Sequence, residues 1–114
     1  MGQRAVTLIG SIAVLSVVIA ATMIPARAQG KSAADIYGDK CAVCHGADGA
    51  GKTARGKKLK VEDVRDTSKK FNVAQMTDVV TKGKGENMDG FAKDLTPAQI
   101  SAVVDYYRGL AAKK

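Results

Sequence analysis

Residues 41–45 read Cys-Ala-Val-Cys-His, two thiols two residues apart followed at once by the only histidine in the chain. Three chemistries use thiols at this spacing. A redox disulfide places C-x-x-C at a helix start after a strand, inside a βαβ frame, and no convincing strand pattern precedes this one. A structural zinc site takes about four ligands. Here only three side chains are offered, two of them adjacent in sequence, and no second cysteine pair or further histidine exists to complete the set. The third chemistry is covalent haem. Thiols at i and i+3 on a helical turn reach the two vinyl groups of one porphyrin as thioethers, and the next residue is carried under the iron as an axial ligand. C-x-x-C-H is the attachment signature of c-type haem. Cys41 and Cys44 are thus the expected thioether residues, and His45 the expected proximal ligand.

Haem of this type is attached on the exported side of a membrane, and the start of the chain agrees. Residues 1–30 carry one early charge, Arg4, then an apolar run from about residue 6 to 24, then Pro25-Ala26-Arg27-Ala28. A basic start, an apolar stretch and an Ala-x-Ala site make a secretory signal peptide cleaved after Ala28. The run is longer than the roughly 7–15 residues of most such segments, so an uncleaved membrane anchor is the competing reading. The domain division expected is therefore 1–28 as signal peptide and 29–114 as the folded domain, exported to the periplasm or an equivalent compartment. Cleavage leaves 86 residues and lowers the formal charge from +7 to +5. A domain of that size buries little core alone and usually needs a staple, a metal or a cofactor. This one has no Trp, two Phe and three Tyr, which leaves room for a bound macrocycle to supply apolar bulk.

The elements that must hold these residues can be read from caps and periodicity. Ser32 with Asp35 three residues later opens a helix expected over 32 to about 44, with Ile36, Tyr37, Lys40, Cys41 and Cys44 near one face. Gly38 lies inside it at about 1 kcal/mol relative to Ala, suggesting a close contact. Residues 46–58 read as a loop by their glycines and charges. A second helix is expected at about 73–82, capped by Asn72 with Gln75 and stopped by Gly83, its stripe being Val73, Met76, Val79 and Val80. The last begins at Thr96, with Pro97 at its first position and Gln99 completing the box. Its stripe is Ile100, Val103, Val104, Tyr107 and Ala111.

Over residues 32–114 the sequence resembles the class I c-type cytochromes, small single-haem electron carriers. The resemblance rests on YGDKCAVCHGADGAGK (37–52), GKGENMDGF (83–91) and TPAQISAVVDYYRGL (96–110). It implies an all-α fold, the small cytochrome c fold of three to four helices around one covalent haem c. The loop after His45 would wrap one haem edge, and one of its carbonyls, within Thr53–Gly56, would accept the proximal imidazole N–H. The first and last helices would cross and pack, Tyr37 meeting Val103 and Tyr107.

For the far side of the iron the candidates are Met76, Met88, a lysine or no ligand, since a second histidine is lacking. Met76 falls in a helical stripe, where a thioether usually fills core space. Met88 lies in a glycine-flanked loop before the last helix, where the family places its ligand methionine, and is the expected distal ligand. The family usually has proline next; here it is Asp89, which leaves the backbone angle unfixed and predicts a more labile iron–sulfur bond.

His/Met ligation implies one-electron transfer with no catalytic residues. The alternative is a haem sensor or weak peroxidase with an open or labile sixth position. Lys40, Lys52, Arg55, Lys57, Lys58, Lys60, Lys82, Lys84 and Lys93 fall in segments expected near the haem, which suits redox protein partners with an acidic face. No nucleic-acid reading motif appears. Membrane contact is expected only through an uncleaved N-terminus, and the protein is expected to be a monomer.

Overall fold

Three helix starts carry the reciprocal cap that their sequences announce. The Ser32 hydroxyl accepts from Asp35 N while the Asp35 carboxylate accepts from Ser32 N, and Asn72/Gln75 and Thr96/Gln99 repeat the arrangement. Each box satisfies backbone donors that a helix start leaves without partners. In this computed structural model the residues described are Gly2 and 30–113; the expected signal segment and its cleavage site lie outside them, Gly2 apart.

The helices are α1 (Ala33–Lys40), α2 (Ala42–His45), α3 (Ala54–Lys58), α4 (Val64–Lys70), α5 (Val73–Lys82) and α6 (Pro97–Leu110), with a hairpin of β1 (Gly83–Lys84) and β2 (Met88–Asp89) between α5 and α6. The fold is all-α as expected, but the described residues form six helices rather than three or four. The expected 32–44 helix is two pieces. At Cys41 φ is −115°, well off the usual helical value near −63°, so the chain turns there before His45 N donates to Cys41 O at 2.9 Å.

Two helices escape a periodicity reading for the same reason: each is short and buries one residue. α3, inside the expected loop, buries only Gly56 and is started by Thr53, whose hydroxyl accepts from Gly56 N at 2.9 Å. α4 buries only Val64 and starts at Asp63, whose carboxylate accepts from the backbone and side chain of Arg65. No apolar stripe marks either one. The hairpin escapes it too, because two residues per strand are too few for an alternating pattern.

Asp63 gives a first testable expectation. The side-chain and backbone hydrogen bonds of Arg65 hold its carboxyl at about 2, down from 3.8. A depressed folded-state value means that the stabilisation is complete above about pH 4 and disappears as pH falls through about 2. Asp63→Ala should therefore lower the unfolding free energy by about 1 kcal/mol at neutral pH. The deficit should begin to narrow below about pH 4 and approach zero only below about pH 2, in paired denaturant titrations of the two holoproteins.

The core gathers on α6. Ile36, Tyr37, Val64, Leu95, Ile100, Val103 and Leu110 form one buried cluster, and α1, α4 and α5 all pack on α6. The expected meeting of Tyr37 with Tyr107 is present at 6.1 Å between ring centroids, and Tyr106 adds a closer one at 5.3 Å. Aromatic pairs at such spacings contribute beyond the area they bury. Three expectations are corrected. Gly38 has nothing within 4 Å of where a Cβ would sit, so no close contact explains it. Val73 is 43% exposed, leaving the α5 stripe to Met76, Val79 and Val80. Leu110 closes the α6 stripe as its buried member, with Ala111 only partly covered. Among the described residues no helix is long and apolar enough to cross a membrane.

Candidate functional site

The break at Cys41 turns three side chains onto one wall of a cavity of about 570 Å³. Cys41, Cys44 and His45 line it together with Tyr37 and Val43. Leu59 and Val61 approach from the segment after α3, Met76, Val79 and Val80 from α5, Met88 from β2, and Val103, Val104 and Tyr107 from α6. The interior is apolar and the charges belong to exposed residues at its rim. Of the nine basic residues singled out by position, Lys40, Arg55, Lys60 and Lys84 line the cavity, joined by the carboxylates of Glu62 and Asp89.

A net of backbone bonds fixes the turn that carries these residues. Gly51 N donates to His45 O at 2.8 Å, and the Tyr37 hydroxyl donates to Gly46 O at 2.7 Å. The Thr53 hydroxyl donates to the carbonyls of Val43 at 2.8 Å and Cys44 at 3.1 Å. Thr53 thus starts α3 and ties it to α2 with one side chain. Sequence reading missed this role; the N-cap preference for Thr before a short polar run was the available signal.

His45 meets the edge of Tyr107 at 5.1 Å between ring centroids and 70° between planes. Its Nδ1 is buried and has no hydrogen-bond partner among the described residues. The expectation that a Thr53–Gly56 carbonyl would accept from the ring is therefore not met. Burial pushes the imidazole pKa below its ordinary value, favouring the neutral form that binds metals. Burial also pushes the Cys41 thiol up to about 11. A C-x-x-C oxidoreductase needs a lowered thiol instead, so the disulfide chemistry finds no support in this environment. Among the described residues no group of three or more His, Cys, Asp and Glu side chains gathers to hold a bare metal ion.

The two methionines differ in their surroundings. Met76 is 7% exposed, and its Sδ accepts from Arg108 Nη1 at 3.5 Å, the same nitrogen that donates to Phe71 O. Met88 is half-buried on β2. A porphyrin fits what is present. The volume lies in the roughly 300–1,000 Å³ range of cofactor pockets, the lining is apolar, and two thiols and an unpartnered neutral imidazole share one wall with a thioether on another element.

Comparison with known proteins gives the same answer. Residues 28–106 match the family model described as cytochrome c oxidase, cbb3-type, subunit III. Among solved structures, the chain is similar to the KustC0563 c-type cytochrome at 27% identity and a TM-score of 0.65, covering 70% of this chain and 98% of that one. A tyrosine-to-phenylalanine mutant of that cytochrome matches at 26% identity and a TM-score of 0.64, over 70% of this chain and 99% of that one. The c-type cytochrome XoxG from Methylobacterium extorquens AM1 matches at 26% identity and a TM-score of 0.55, over 70% of this chain and 48% of that one. No curated protein matches significantly by sequence. The chain belongs to the cbb3-type subunit III family of c-type cytochromes, and with that membership come the all-α cytochrome c fold, a covalently bound haem c and haem-based electron transfer.

Proposed function

We propose that the protein is a single-electron carrier in which Cys41 and Cys44 bind haem c as thioethers and His45 and Met88 supply the axial ligands. The observation that carries this reading is the contrast between the methionines. Met76 is packed and its sulfur is already engaged by Arg108, whereas Met88 faces the same cavity from a half-exposed hairpin. When bound, haem supplies the one-electron iron couple. The chain's own residues do the rest. The apolar lining would exclude water from the group, and the neutral imidazole of His45 and the thioether of Met88 would hold the iron and leave a substrate no place to bind. The protein therefore has no reaction of its own to catalyse.

Lys40, Arg55, Lys60 and Lys84 at the rim would steer redox partners with an acidic docking face, at rates that fall with ionic strength. Export through the cleaved N-terminal segment, leaving 29–114 as the working domain, follows from the chemistry of C-x-x-C-H attachment and from the apolar, Ala-x-Ala-ended start of the sequence.

The test is the ferric visible spectrum of the holoprotein beside Met88→Ala and Met76→Ala. A methionine-ligated ferric haem has a weak near-red charge-transfer band. It should be present in the wild type, survive Met76→Ala and vanish in Met88→Ala. A wild type lacking the band, or one with a high-spin ferric haem, would move the sensor or weak-peroxidase reading to the front.

A further inference from the structure

Asp89 stands where a proline would stiffen the chain beside Met88, yet the backbone around it is held by other means. A helix leaves its last four carbonyls without intrahelical partners. Gly83 N closes the last intrahelical bond of α5, to Val79 O, and two of the carbonyls beyond it are taken up by the segment that carries Met88: Phe91 N donates to Val80 O at 2.8 Å and Ala92 N to Thr81 O at 3.3 Å. Between those bonds β1 and β2 pair antiparallel, Gly83 opposite Asp89 and Lys84 opposite Met88. Residues 83–92 therefore form a strap that leaves α5 at Gly83, pairs with itself across β1 and β2, and is hydrogen-bonded back to the last turn of α5 beyond Met88, at Phe91 and Ala92.

Glycines make the contact possible. Gly83 has φ +86°, a left-handed angle that side chains resist. At Gly90 an added Cβ would lie 2.6 Å from Lys82 C and 2.7 Å from Thr81 O. Both obstacles are backbone, so relief would come only by lifting the strap off the helix. Beyond Gly90 the Phe91 side chain packs against the core, which anchors the far end.

We propose that the last turn of α5 is the positioning device for Met88, holding it by main-chain pairing through Gly83 and Gly90 in place of the missing proline. This rests on Met88 being the distal ligand. It reverses the expectation of a labile bond drawn from Asp89 alone, because the device lies in the backbone and not in that side chain.

Exogenous imidazole competes for the place Met88 holds, and its apparent affinity scales with the fraction of time that place is open. Titration of the ferric holoproteins should show Gly90→Ala binding imidazole at least about ten-fold more tightly than wild type. Asp89→Ala should stay within about three-fold of wild type, since its exposed side chain takes no part in the pairing. Hydrogen exchange of the ferrous wild type supplies a measure that no substitution disturbs. The Phe91 and Ala92 amides should be protected well beyond an exposed loop. Wild-type imidazole affinity in Gly90→Ala, an Asp89→Ala effect as large as that of Gly90→Ala, or loop-like exchange at Phe91 and Ala92 would each overturn the proposal. The reading of Met88 fails separately, if Met88→Ala keeps the near-red band, and the proposal then falls with it.

Discussion

A chain carrying Cys41→Ser together with Cys44→Ser is expected to retain no haem through a denaturing gel and to lose most of its helical signal in the far ultraviolet. Both losses have one cause. The cavity of about 570 Å³ lies against α1, α2, α5, α6 and the hairpin, so a haem held there would be the surface on which those elements meet. Without the haem the apolar lining of that cleft is left to water, and at roughly 25 cal/mol per Å² of apolar surface this forfeits several kcal/mol, a large share of the stability of a small domain. The buried cluster of Ile36, Tyr37, Val64, Leu95, Ile100, Val103 and Leu110 is too small to compensate. Each single substitution should leave one thioether and a folded but less stable holoprotein. A double variant that keeps native helicity without haem would show that the α6 cluster folds unaided.

The second large effect is expected at Gly56. Its position is buried, and a Cβ there would run into the carbonyl oxygens of Cys44 and Gly51. Neither can rotate out of the way, because both are main chain. Displacing Cys44 moves one of the two proposed thioether positions. Displacing Gly51 strains its bond to His45 O, and Gly56 O is itself held by Val61 N at 2.8 Å. Overpacking that only backbone shifts can relieve costs about 3 kcal/mol, so Gly56→Ala should destabilise the holoprotein by that order and lower its yield. Gly38→Ala is the counterpart with the opposite sign. Gly38 sits within α1 with open space around it, and alanine there should stabilise by about 0.5–1 kcal/mol. Denaturant unfolding of the two holoproteins against wild type measures both. Equal effects at the two glycines would mean that the packing of α3 on α2 is looser than these contacts imply.

What can be read from the chain alone depends on how far apart the cooperating residues lie. The caps Ser32/Asp35, Asn72/Gln75 and Thr96/Gln99 each act over three residues. The α6 stripe repeats over a few turns and finds its partner in Tyr37 because both faces are apolar and regular. α3, α4 and the hairpin give no such signal: each is too short to show a period and is held by bonds to distant segments.

The same line divides the site. By itself the sequence determines a C-x-x-C-H turn, a family, a covalent haem and a choice between Met76 and Met88 for the proposed sulfur ligand, because thiol spacing and the count of histidines are local facts. Tertiary structure alone decides how those residues are held. Arg108 reaches Met76 across 32 positions, which leaves Met88 as the thioether not already engaged. Thr53 draws α3 against the carbonyls of Val43 and Cys44, and the unpaired carbonyls of α5 take hold of Phe91 and Ala92. Hydrogen bonds of this kind join groups whose separation along the chain carries no pattern, so they come into view only once the helices have packed.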